Sequence, residues 1–491
     1  MPIALDGENL NLEQLMKIAH EKVPVELAPV AKDRLRAARA TVERAFASGE
    51  RVYGLNTGVG VLKRVELIED VAQFNRRLLE FHQLGQGASQ PHHVVRAAMA
   101  RLINQFALGT TAVRLELAEH LVSRLNEDVV VDVRTIGGGL CTNADLALGY
   151  VGDFPLAQGE GLAMLGHSAL GDAQAALAVS DMLVLADSME AALALALEAF
   201  RAKITPLDER VVALKRGAGV ARSAANVREH LAGTNLWEAG QSRNLQDPLS
   251  FRCGAYVIGA FRDAVSYGLE LMINQLNSSC SNPVVIAEAG EILHAANWEV
   301  QAVTSMLDFM KIALAPAITM SQERSIKLLD RLWSGLPTGL VGSEEQPESG
   351  LAMLQALVQA YTVELRLAAS PASFEISSSS NAEGIEDRLN WSQQLGQRVM
   401  QIHSLAVHVL AIELLVSAQA VELRGLQTAG SGVKRIWAKV REAVPFLEIG
   451  QALPRDLTGL VRQLNAGEYS LEEAVVSHLH ATGARSLRIE L

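Results

Sequence analysis

Four long stretches with apolar residues on more than one face constrain this chain more than any other feature: Ala255–Asn277, Glu299–Leu329, Gly350–Ala369 and Gln393–Leu423. A helix with one apolar stripe can lie on a surface. A helix that is apolar nearly all round has to be enclosed by other helices or by a second copy of the chain. Residue usage agrees: 49% of the chain is hydrophobic but only 4% aromatic. The core must therefore be built from Leu, Ala, Val, Met and Ile, and Leu- and Ala-rich cores favour helix. At 491 residues the chain exceeds one ordinary compact domain. The expectation is a mostly α protein, with a smaller N-terminal domain of short helices and loops over 1–171. A central bundle of long helices and C-terminal helices would span 172–491, and the whole would be oligomeric.

Within the N-terminal part the pattern predicts helices at Ala31–Ser48, Glu69–Leu84, His92–Leu108 and Val113–Asn126, and a short strand at Val129–Val133. Arg134–Phe154 is rich in Gly and small residues and reads as irregular. Pro316 is expected to kink the helix that contains it. The net charge of −12 and the lack of a long basic run argue against nucleic acid as a partner. Cys141, Cys253 and Cys280 make neither a disulfide framework nor a metal-ligand spacing, which fits a reducing cytosol. The N-terminus carries no apolar core of a signal peptide. Met182–Phe200 is interrupted by Asp187 and Glu190, so a membrane span is not expected.

Several motifs carry possible chemistry. Tyr53-Gly-Leu-Asn-Thr-Gly-Val-Gly60 is a glycine-rich loop headed by a tyrosine. Glycines at 54, 58 and 60 allow tight turns and a close approach to a ligand, although a lone glycine pair is weak evidence for any site. Gln246-Asp-Pro-Leu-Ser-Phe-Arg252 places an arginine after a Gln-Asp pair, and Asn277-Ser-Ser-Cys-Ser-Asn282-Pro283 ends on an Asn-Pro. Alone, the first is a salt bridge on a helix and the second a turn. Trp298 by itself reads as packing, Glu386-Asp387 as a solvated carboxylate pair, and His82 as a structural helix histidine.

In combination these segments, from about Tyr53 to about Leu423, resemble the aromatic amino acid ammonia-lyase family: the histidine, phenylalanine and tyrosine lyases and their aminomutase relatives. The resemblance implies a homotetramer whose active sites are completed by neighbouring subunits. Tyr53 matches the base that removes a β-proton, a role that needs its pKa lowered by positive charge or hydrogen-bond donors. Arg252 matches the arginine that grips the substrate carboxylate. Gln246, Asn282, Trp298, His82 and Glu386 match substrate-pocket positions.

The family makes its electrophile, methylidene-imidazolone, from an internal Ala-Ser-Gly before an Asp-Leu pair. Here Asp145-Leu146 is kept, but Thr142-Asn143-Ala144 occupies the triad, and Asn143 has no β-hydroxyl to lose. Leu249 stands where the family has a second catalytic tyrosine, and Gly166 where a ring-contacting asparagine is expected. A one-residue shift, Cys141-Thr142-Asn143, offers a dehydratable middle residue. Its third residue is Asn rather than Gly, however, which crowds the cyclising nitrogen. The ring and the groups that handle it are lost together, while the tyrosine loop, carboxylate clamp and pocket walls stay.

The expected function is an enzyme that acts on a small carboxylate or amino-acid-derived substrate by proton abstraction, without methylidene-imidazolone and without metal. The alternatives are a silent homologue that binds a metabolite or partners an active paralogue, and a conventional ammonia-lyase with an atypical cofactor.

Overall fold

The computed structural model describes residues 1–67, 71–341, 349–373, 381–388 and 391–471. They form two compact units that interleave in sequence. The first takes Met1–Ala178, Gly268–Leu307 and Ala372–Gln397; the second takes Val179–Tyr267, Asp308–Pro371 and Arg398–Leu491. The sequence division at 171/172 places everything after it in one bundle, whereas the first unit also draws on those two later segments. Helices Ala169–Phe200, Gly254–Leu276, Gln301–Leu329 and Ser392–Arg424 each contain a point where the chain passes from one unit to the other.

The expected mostly α fold is observed. In the first unit the helices Pro29–Ser48, Val71–His82, His92–Ala107 and Leu115–Asn126 lie within a few residues of their predicted spans. Helix Leu12–His20 begins with a capping box, Asn11 and Gln14 exchanging side-chain and backbone bonds. It packs on His92–Ala107, which is buried along nearly its whole length. Strands Ile3–Leu5 and Val25–Leu27 pair in parallel.

Two sequence expectations are corrected. The strand expected at Val129–Val133 lies instead at Arg134–Ile136, antiparallel to Gln86–Ser89. The stretch expected to be irregular folds into the helix Gly138–Val151. Its glycines cluster at the head, where Gly138 takes a φ of +66°. Beyond them Leu140, Ala144, Leu146, Ala147 and Leu148 favour helix, and burial of Thr142 through Ala147 stabilises it.

A small core of Ala38, Val42, Val52, Leu55, Val285 and Ile292 sits beneath the tyrosine loop. In the second unit, charges on apolar helices are buried in pairs. Arg262 binds both Asp187 and Glu190, and Glu190 also accepts from Asn226 at 2.8 Å. Arg324 Nε lies 2.5 Å from Glu413 Oε1. Pro316 sits inside Gln301–Leu329, which continues through it as one helix. That helix and Ser392–Arg424 are long and apolar enough to cross a membrane by composition, but over half of each apolar window is buried in protein.

Truncating one side of a buried ion pair strands the other charge at a cost of roughly 3–5 kcal/mol. Glu413→Ala is therefore expected to lower the denaturation midpoint clearly in chemical unfolding, whereas removing the exposed Glu43, paired with Arg39, should shift it little. Equal, small shifts for the two variants would contradict a structural role for the Arg324–Glu413 pair.

Candidate active site

The residues flanking Tyr53 hold it in place. Val52 and Leu55 are each 1% exposed and face the small core, leaving Tyr53 half-buried at its surface. Gly54 has a φ of +68°, and a Cβ there would lie 2.4 Å from Leu162 Cδ2, so the turn into the loop requires glycine. The Gly60 N–H donates to the Tyr53 hydroxyl oxygen at 2.9 Å, and the Tyr53 N–H donates to His294 Nε2 at 3.3 Å. His294 was not singled out from the sequence. A lone histidine near Trp298 gave no signal of its own.

Tyr53 and Asn282 meet on one cleft of the first unit, with Leu162, Gly166, Ser281 and Thr111 among its walls. The cleft's empty volume, open solvent included, is about 420 Å³. The Asn282 side-chain oxygen accepts from the Ala295 N–H at 2.9 Å. Its amide nitrogen has no protein partner among the described residues and remains a donor for a ligand. A Cβ on Gly60 would lie 4.0 Å from Glu386 Oε1, which puts Glu386 beside the same loop. Lys63 and Arg64 both pair with Glu383, at 2.9 and 3.2 Å.

Burial pushes the Tyr53 phenol above its ordinary pKa, and the Glu386 carboxylate adds to that shift, while the Gly60 N–H opposes it. This reverses the condition under which a tyrosine acts as base. Within this unit Tyr53 is a neutral phenol at physiological pH, with a hydrogen to give.

The triad position is closed differently from a ring precursor. Thr142, Asn143 and Ala144 are buried in helix Gly138–Val151. The Thr142 hydroxyl is hydrogen-bonded to Gly138 O at 2.9 Å and to Gln393 Oε1 at 2.7 Å. The Asn143 amide nitrogen donates to the carbonyls of Leu165 and His167, both at 2.8 Å, on either side of Gly166. Its oxygen is buried without a partner among the described residues. A helical backbone, a residue with no leaving group and an amide already spent on two carbonyls do not fit the precursor of methylidene-imidazolone. The shifted Cys141 triad meets the same helix.

Arg252 and Gln246 lie in the second unit, where Arg252 Nη1 donates to the Gln246 side-chain oxygen at 2.9 Å. The Arg252 Nε is buried and has no partner among the described residues. Arg324 Nη1 donates to Ser250 O at 3.0 Å and so ties this turn to the Glu413 pair. Leu249 is 57% exposed. Neither His82 nor Trp298 lines the Tyr53 cleft. His82 closes helix Val71–His82 with Nδ1 2.8 Å from Leu78 O, and Trp298 is half-buried just before helix Gln301–Leu329.

This combination of helical fold and tyrosine-loop cleft is that of a carbon–nitrogen lyase scaffold, and comparison with known proteins agrees. The chain matches the model of the aromatic amino acid lyase family over residues 10–153 and 150–442, and it belongs to that family. It is 31% identical to a histidine ammonia-lyase of Stigmatella aurantiaca, over 94% of this chain and 96% of that one. Among solved structures it is similar to the ergothionase of Treponema denticola, with a TM-score of 0.89, 26% identity and coverage of 96% and 99% of the two chains. The tyrosine aminomutase of Streptomyces globisporus gives a TM-score of 0.87 at 26% identity, over 97% and 99%. The chain is thus a lyase-type enzyme by descent.

The raised Tyr53 pKa is directly measurable. The alkaline tyrosine absorbance change lost in Tyr53→Phe is expected to have its midpoint above that of free tyrosine. A midpoint below it would mean that the assembled protein supplies positive charge to the hydroxyl.

Proposed function

We propose that this chain is an enzyme of the aromatic amino acid lyase family that works on a small carboxylate, such as an amino-acid-derived acid, without methylidene-imidazolone. The observation that carries the reading is Asn143: its amide bridges the Leu165 and His167 carbonyls where the family's ring precursor would stand. Removing a non-acidic β-proton while an amine departs is the step the electrophile makes feasible, so plain ammonia elimination loses its chemical basis here.

The groups that remain support proton transfer to an activated carbon. Arg252 presents a buried, unpartnered Nε–H, and a carboxylate is the natural acceptor for it. Tyr53, held neutral by burial, is the proton carrier. A neutral phenol suits steps that deliver a proton to carbon, such as isomerisation of an unsaturated acid or addition across its double bond. In the addition, the nucleophile's new bond to the β-carbon forms as the π pair moves toward the carboxylate. Tyr53 then gives its proton to the α-carbon, and the proton shed by the nucleophile restores the phenol. Asn282, with a free amide donor on the same cleft, would bind the substrate's polar end. Glu386, beside the loop, keeps the phenol protonated. We further propose that the chain works as a cytoplasmic homotetramer, the assembly its family resemblance implies.

A second reading, histidine elimination with an atypical cofactor, is favoured by the activity named for its relatives. Intact mass separates the two. The proposed enzyme has the mass of its unmodified sequence and does not deaminate histidine. A mass deficit of two waters within the peptide Gly139–Ala144, with turnover of histidine, would establish the second reading instead.

Two variants test the assigned groups. Arg252→Ala should weaken carboxylate binding by about 3–5 kcal/mol with the fold intact. Tyr53→Phe should abolish turnover and leave binding nearly unchanged. A Tyr53→Phe enzyme with full turnover would remove the proton-transfer role from Tyr53, whereas carboxylate binding without turnover by the unsubstituted protein would leave the silent-homologue account in its place.

A further inference from the structure

The second unit holds a polar cavity that none of the residues assigned above reaches. Arg201, Arg424, Asn235, Gln241 and Thr428 are among its walls. Its empty volume, open solvent included, is about 470 Å³. That is room for several waters, or for one small ion with part of its hydration shell.

Gln241 organises the donors. Arg201 Nε donates to the Gln241 backbone oxygen at 3.0 Å, and Nη2 to its side-chain oxygen at 2.9 Å. Asn235 Nδ2 donates to the same side-chain oxygen at 3.1 Å. Arg201 Nη1 and the Gln241 amide nitrogen are left with hydrogens and no protein acceptor among the described residues. Arg424, also in the lining, donates from Nε to Ala199 O at 3.2 Å and from Nη2 to Ser334 O, which leaves Nη1 without a protein acceptor among the described residues. Arg243, close by, donates to Trp333 O at 2.6 Å.

The charge here is unbalanced. Arg262, Arg324 and Arg101 are buried against carboxylates. Arg201, Arg243 and Arg424 have no carboxylate partner among the described residues; they bind carbonyls and an amide. Burial, together with repulsion from Arg243 and Arg201, lowers the Arg424 pKa to about 10. Glu198 also lines the cavity, but among the described residues it pairs with none of these arginines. Its carboxylate is engaged by the Gly430 N–H at 2.9 Å and by Thr234, and burial raises its pKa.

We propose that this cavity binds a small phosphate-class oxyanion, either free phosphate or a phosphate monoester, held between Arg201 and Arg424 with Gln241 as a neutral donor. Two guanidinium groups lining one cavity, near enough to repel each other, suit a tetrahedral anion that accepts from several directions, and burial strengthens each charge-assisted bond. The site is separate from the carboxylate clamp at Arg252 and does not depend on the reaction proposed above.

Calorimetric titration of the full-length assembly with inorganic phosphate, at fixed ionic strength set with chloride, tests this. The expected result is saturable binding, one ion per chain, with Kd below about 1 mM. Arg201→Gln should weaken it by about tenfold or more. Circular dichroism and light scattering would verify that the variant is folded and assembled. Should Arg201→Gln fail to fold, Arg243→Gln, at an exposed position, is expected to weaken binding several-fold. A parallel titration with ethyl phosphate separates the sources: tighter binding than inorganic phosphate assigns a phosphorylated metabolite, and weaker binding assigns the free ion. No saturable phosphate binding, or a folded Arg201→Gln protein that binds like the wild type, would overturn the proposal.

Discussion

Long apolar helices can be held in register only if the few charges they carry are neutralised where they are buried. In this protein those charges mark the fixed points. Arg101 and Asp172 are both fully buried and meet in the first unit; Arg262 meets Asp187 and Glu190, and Arg324 meets Glu413, in the second. A sliding helix would leave such charges unpaired, which apolar contacts among Leu and Ala could not prevent on their own. The Arg324–Glu413 pair also reaches the turn that carries Arg252. Through Ser250 O it fixes the short turn that presents Arg252.

In this chain Asn143 stands at the position where the family carries the precursor of its electrophile. Asn143 fills its place with hydrogen bonds rather than with a reactive group, joining helix Gly138–Val151 to the turn around Gly166. Gly166 itself lines the Tyr53 cleft, so the tie acts directly on the wall a substrate would touch. The same cleft keeps its tyrosine but holds it neutral, because burial and a neighbouring carboxylate both disfavour the phenolate. The sequence comparison describes these as separate losses and retentions. In the structure the two meet on one cleft: Gly166, flanked by the carbonyls that Asn143 binds, and Tyr53, whose surroundings favour the acid form, both line it.

Much of this was legible in the chain. The long helices announced themselves because apolar residues on several faces admit no solvated solution, and their boundaries fell within a few residues of the expected ones. The tyrosine loop was legible because glycine at 54 and 60 serves backbone geometry that few other residues tolerate. The helix at Gly138–Val151 was not, because glycines that only open a helix look the same in sequence as glycines that prevent one. The strand at Arg134–Ile136 was missed for a related reason: its partner, Gln86–Ser89, is distant in sequence and poor in β-branched residues.

The sequence by itself determined the family, the helical class, the absence of a leaving group at residue 143, and which side chains were available for chemistry. These are properties of composition, spacing and covalent structure, and no folding is needed to read them. Tertiary structure alone decided what Asn143 bonds to, that burial raises rather than lowers the Tyr53 pKa, and that Arg201 and Arg424 line one cavity with neither paired to a carboxylate among the described residues. Each depends on which groups lie within a few ångströms of one another across long stretches of chain. Local dielectric and partner geometry, rather than residue identity, set the charge a side chain carries.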